Sequence, residues 1–269
     1  MKQRLLVAAL GVPALLLILL AAPVWATGAL CALLSAVGCY ELMHAVGGAG
    51  WKSLIVMPAF AAALTLELGL EIIEPGVWLP GIVFLAVVYV FVTAILTHGK
   101  RGQVGFAAMM AGLFGAFALA AGFACIVRLR GASPVLALTP FVGAFMSDTG
   151  AFFAGRAFGK RKLAPHVSPN KTVAGCIGGF LGSVIGMVVL GLVARWTVRM
   201  DLGWGFLVLL GLAGSLMGQI GDLSFSVIKR EFGIKDYGKI FLTHGGVLDR
   251  FDSVLFVAPA YWLLLSLWF

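Results

Sequence analysis

Runs of about twenty apolar residues, broken by short polar clusters, recur from one end of the chain to the other. A helix rising 1.5 Å per residue needs about 20 such residues to cross a hydrocarbon core of ~30 Å. The pattern predicts nine spans, over roughly 5–24, 27–46, 54–73, 78–97, 105–126, 134–155, 173–194, 204–228 and 253–269, the last of them short. The expected fold is therefore all-α, a polytopic integral membrane bundle. No soluble domain, low-complexity tract or internal repeat stands apart, so 1–269 reads as a single transmembrane domain. Nine spans place the two termini on opposite sides of the membrane.

Composition agrees: 61% of residues are hydrophobic and 11% charged, where a soluble domain is about half apolar and a quarter charged. The formal net charge of +8 is unevenly spread. With a cytoplasmic N-terminus, only Arg128, Arg130, Arg195 and Arg199 among the 19 basic residues fall outside. That bias follows the positive-inside rule, so the charge signals topology and not nucleic-acid binding. The opening stretch has the basic start, apolar core and small-residue end of a signal peptide, but it is long enough to span and is read as an uncleaved first helix. Cys31, Cys39, Cys125 and Cys176 lie in apolar runs without a paired C-x-x-C spacing, which suits packing. His44, His98, His166 and His244 show no zinc spacing.

Charge inside a membrane is expensive and marks function. Asp148 falls about 10 Å below the cytoplasmic end of the sixth span and Asp222 about 9 Å below that of the eighth. Asp249 and Asp252 stand at the entrance to the ninth. Ser215, Gln219, Asp222, Ser226 and Lys229 recur at helical spacing and form one polar stripe. The simplest alternative is a structural ion pair, such as Asp222 with Arg250. Between the sixth and seventh spans, "GRAFGKRKLAPHVSPNKTVAG" reads as a basic cytoplasmic loop with Arg156, Lys160, Arg161, Lys162 and Lys171. It lacks the P-loop spacing, yet basic side chains and free backbone amides suit a polyphosphate. Carboxylates can hold Mg²⁺, and Mg²⁺ with Lys and Arg neutralises phosphates. The combination, at the cytoplasmic surface, predicts phosphoryl or nucleotidyl transfer to a lipid head group, with the site in the C-terminal half, about 134–269.

"SVIKREFGIKDYGKIFLTHGGVLDRFDS", Ser226 to Ser253, resembles the signature of the phosphatidate cytidylyltransferases, or CDP-diacylglycerol synthases. The matching residues are Ser226, Lys229, Arg230, Lys235, Asp236, His244, Gly245, Gly246, Asp249, Arg250 and Asp252. "SDTGAFFAGRAFGKRKLAPHVSPNKT" and "GDLSFSVIKR" are similar to the family too, so the likeness covers the C-terminal half. The resemblance implies that CTP and phosphatidate give CDP-diacylglycerol and pyrophosphate in phospholipid biosynthesis. It implies catalytic roles for Asp222, Asp249, Lys229, Arg230 and Ser226. Substrate would meet Lys160, Lys171, Lys235, Asp236, His244, Gly245, Gly246, Arg250 and Asp252. Mg²⁺ would sit on Asp222 and Asp249, with Asp148 a candidate for a second cation. It further implies the bacterial inner membrane, an active site facing the cytoplasm and a homodimer. The chain departs from the family at Ala174, where a glutamate is usual, and at Leu242, where a small residue or proline is usual. Competing readings are another CTP-dependent lipid or polyprenol phosphotransferase, an ion-coupled transporter and a non-catalytic paralogue.

Overall fold

The computed structural model describes residues 2–72, 78–238 and 245–268, with the side chains of 2–10 and 78 excepted. The expectations for His244 and Leu242 lie outside the described residues. In chain order the elements are α1 (Lys2–Leu20), α2 (Val24–Val46), a 3-10 segment (Gly48–Leu54), α3 (Met57–Leu70), α4 (Trp78–Thr97) and α5 (Phe106–Phe114). A π-helical turn (Gly115–Leu119), α6 (Ala120–Ala132), a 3-10 turn (Leu136–Leu138) and α7 (Thr139–Phe158) follow. Then come β1 (Lys162–Ala164), β2 (Ser168–Thr172), α8 (Val173–Thr197), α9 (Trp204–Glu231), the single turn α10 (Leu248–Phe251) and α11 (Val254–Trp268).

Each predicted span is helical over most of its length. Among the described residues, six helices are long and apolar enough to cross a membrane, and the bent pair Gly48–Leu54 and Met57–Leu70, kinked by 55°, makes up to seven. Gly11–Leu20 and Val254–Trp268 are shorter apolar helices. Apolar side chains such as Phe84, Leu85 and Ile95 on α4 face outward, as expected where the surrounding solvent is lipid.

One departure from the all-α expectation is small. The basic loop folds back as an antiparallel hairpin, Lys162 opposite Thr172 and Ala164 opposite Ser168, with an irregularity between. Its strands are too short to show an alternating pattern, and Pro165 and Pro169 disguise it as loop.

The chain forms two compact units, Met1–Gly131 with Phe232–Arg250, and Ala132–Glu231 with Phe251–Phe269. In the first, α2 packs along α3, and Gly115 of the π-helical turn lies against Cys39. Arg128 donates to Leu68 O at 2.6 Å and Arg130 to Ala22 O at 2.6 Å. Cations there satisfy carbonyls that the ends of α3 and α1 leave open.

In the second unit, α7 and α8 form the most extensive helix pair. A Cβ on Gly150 would fall 2.2 Å from Gly178 O, and one on Gly182 2.3 Å from Met146 O. Small residues let the two backbones touch, which is how helices gain packing energy in lipid, where tails are as apolar as leucine. Tyr261 of α11 is buried over Gly143 and Gly214 in the same way. The hairpin delivers the chain into α8: Thr172 is the N-cap, its Oγ1 accepting from Gly175 N at 3.0 Å.

Candidate active site

In the second unit, the polar stripe of α9 faces the α7–α8 pair. Ser215 and Ser147 share a hydrogen bond of 2.9 Å, and Gln219 Nε2 donates to Ser215 Oγ at 2.9 Å and to Cys176 O at 3.3 Å. Two turns toward the C-terminal end of α9, Asp222 Oδ2 is ion-paired with Lys171 Nζ, both side chains about a quarter exposed. Ser226 Oγ donates to Asp222 Oδ1 at 3.4 Å. Lys171 is the penultimate residue of β2, so the hairpin exists in part to carry this cation back to α9. Two residues predicted separately as metal ligand and substrate contact thus meet directly.

Two more carboxylates join them. The charge of Asp148 on α7 interacts with those of Asp222 and Lys171. The charge of Asp252, just before α11, interacts with those of Asp222, Lys229 and Asp148. Asp252 Oδ1 also accepts from Ser253 N at 2.7 Å. Three acidic groups and two lysines thus occupy one electrostatic neighbourhood.

Beside them is a cavity of about 640 Å³ whose wall includes Asp148, Arg156, Asn170, Lys171 and Gln219 together with the apolar Phe152 and Leu163. That volume lies in the range of sites for drug-sized and cofactor-sized ligands. The mixture of cationic and apolar lining suits a phosphate joined to a greasy body. Cys176 also lines it, half-buried, while Cys31 and Cys39 are buried and all four cysteines are free. Arg230 Nε donates to Val167 O at 3.1 Å and so ties the end of α9 to the hairpin turn. Lys160 is exposed just ahead of β1.

The rest of the signature belongs to the first unit. Lys235, Asp236 and Arg250 are exposed; Gly245 and Gly246 are buried and Asp249 is half-buried. Asp249 Oδ2 accepts from Tyr237 N and Gly246 N, both at 2.9 Å. Gly245 has φ +82°, a left-handed conformation that only glycine adopts freely. Sequence reasoning overlooked Glu41 of α2, whose Oε2 accepts from Leu248 N at 3.1 Å. Its signal was the same as that of Asp148 and Asp222, an isolated carboxylate in an apolar span.

A multi-helix membrane protein with a cofactor-sized, cation-lined cavity beside clustered carboxylates has the parts of a membrane-embedded phosphate-transfer enzyme. The model of the Cytidylyltransferase family matches residues 2–268, and the chain belongs to that family. It is 35% identical over 213 residues to the phosphatidate cytidylyltransferase of Staphylococcus haemolyticus, covering 79% of this chain and 80% of the relative. It is 45% identical over 121 residues to that of Bacillus subtilis, 45% of this chain and 44% of the relative. Against that of Staphylococcus saprophyticus it is 41% identical over 144 residues, 54% of each. The chain thus spans about half the length of the last two relatives in alignment and four fifths of the first.

Proposed function

We propose that this protein transfers the cytidylyl group of CTP to phosphatidate at the cytoplasmic face of a bacterial inner membrane. An oxygen of the phosphatidate phosphate attacks the α-phosphorus of CTP. A phosphorus–oxygen bond forms there, the bond to the β-phosphate's bridging oxygen breaks, and its electron pair leaves with pyrophosphate. The nucleophile is already an anion, so the chain need not supply a strong base. Its task is to bring two anions together and to hold the attacking oxygen in line.

The observation that carries this reading is the Asp222–Lys171 pair at the edge of the cavity. Lys171 and Arg156 supply positive charge to a bound phosphate, Phe152 and Leu163 exclude water, and Ser226 steadies Asp222. Lys229, Lys160, Lys235, Asp236 and Arg250 are further candidates for contacts with the nucleotide. Arg230 acts by holding the hairpin. Gly245 and Gly246 let backbone approach phosphate.

Three carboxylates against two lysines, with hard oxygen donors, fit a divalent cation. Among the described residues no three metal-binding side chains form a ready cage, and Mg²⁺ commonly takes only one or two carboxylates, completing its shell with phosphates and waters. Asp222 and, on the strength of its motif, Asp249 are the proposed ligands, with Asp148 for a second cation. Bound Mg²⁺ would neutralise the triphosphate and the pyrophosphate as it departs.

The topology we propose has nine spans and an N-terminus inside, because the basic residues then gather on one face. A homodimer is proposed from the family resemblance alone. The test is turnover by the purified protein in lipid nanodiscs. CTP, Mg²⁺ and phosphatidate should yield CDP-diacylglycerol and pyrophosphate in equal amounts, and ATP should not replace CTP. Equal turnover with ATP, or none with CTP, would contradict the reading.

A further inference from the structure

Glu41 sits in α2, far from the signature in sequence, and is only 2% exposed. A carboxylate withdrawn from water must find donors, or it costs several kcal/mol. Glu41 finds a backbone. Leu248 N donates to Oε2 at 3.1 Å across 207 residues of chain. The other oxygen, Oε1, is buried without a hydrogen-bond partner among the described residues. It lies flat against main chain: a Cβ on Gly238 would fall 2.1 Å from it, and one on Gly246 2.3 Å. A side chain at either position would have to push the Glu41 carboxylate aside.

Asp249, one residue beyond Leu248, closes the same turn from within through Tyr237 N and Gly246 N. Two carboxylates fasten this segment, one its own and one from the first half of the chain. All of these contacts lie inside the first unit.

We propose that Glu41 is a positioning residue of the transfer reaction. Its carboxylate fixes the Leu248 amide and, through it, the direction of Asp249 and the Gly245–Gly246 turn. What Asp249 then does rests on the functional reading above; how it is held does not. The N-terminal half is on this account part of the machinery and not only its membrane scaffold.

Glu41→Leu fills similar space without an acceptor, and Glu41→Gln keeps a carbonyl oxygen for Leu248 N. Two readouts are needed: turnover of CTP and phosphatidate, and amide hydrogen exchange of the peptide holding Leu248 in the protein without substrates. Losing a hydrogen bond to a charged group is worth about tenfold or more. Glu41→Leu should lower kcat by at least about that factor and speed Leu248 exchange by a similar one, while exchange in α8 stays unchanged. Glu41→Gln should stay within about threefold of the parent in both. If Glu41→Leu does not fold, Glu41→Asp replaces it, since a carboxylate one methylene shorter retracts from Leu248 and exchange must rise. Unchanged exchange in the folded variant, or equal losses in Gln and Leu, would overturn the proposal. If the parent protein turns over no CTP, the functional reading fails, and the exchange experiment still decides this inference.

Discussion

Asp222 answers to two demands. Left alone in a membrane helix it would be costly, and paired with Lys171 it is neutralised. Breaking such a pair by removing one partner strands the other charge. Asp222→Asn should therefore abolish turnover while the helices still insert, with a loss of at least about 10²–10³ in kcat, the cost of one oxyanion-type stabiliser. Asp249→Asn should do the same. Lys52→Ala, a basic change away from the motifs, should be nearly silent in the same assay. Asp222 was visible in the sequence because a carboxylate stands out against apolar neighbours. Lys171 was visible as a candidate substrate contact, but its pairing with Asp222 was not, since it depends on a hairpin turn that no local pattern announces. Glu41 carried a signal as clear as that of Asp222. It was passed over because its partner is a backbone amide, which has no sequence signature.

At the scale of elements, the hairpin and the α7–α8 pair set where Lys171 can reach. Thr172 closes the hairpin and opens α8 through its bond to Gly175 N. Thr172→Ala should cost about 1 kcal/mol of stability by the loss of a cap, read as a lower melting temperature in detergent, and Thr172→Ser should restore most of it. The glycine contact is stricter. A Cβ at Gly178 would fall 2.2 Å from the Cβ of Ala154, so Gly178→Val should destabilise by at least about 1–3 kcal/mol, the usual cost of overpacking. Gly81→Ala on α4, with open space around it, should leave the melt unchanged. The spans were legible because length and hydropathy decide them. Their packing was not, because glycines read as mere interruptions until the partner helix is in view.

Over the whole molecule the governing facts are charge asymmetry and the lipid setting. A reporter that is active only in the cytoplasm, fused after Lys162, should be active, since this hairpin region is the most basic part of the chain. Activity of a periplasmic reporter at the same point would reverse the topology and cut the site off from CTP. The family was legible from the residues 226–253 alone, and Ala174, where the family resemblance implies a glutamate, gives the chain a reason to be assayed and not assumed active. The most direct measurement follows a single phosphorus atom. Purified protein in nanodiscs is given Mg²⁺, phosphatidate and CTP labelled at either the α- or the γ-phosphate. The account predicts that α-label enters the lipid fraction, that γ-label leaves as pyrophosphate, and that Asp222→Asn abolishes both. Entry of γ-label into lipid would make the protein a kinase, and entry of neither label would contradict cytidylyl transfer altogether.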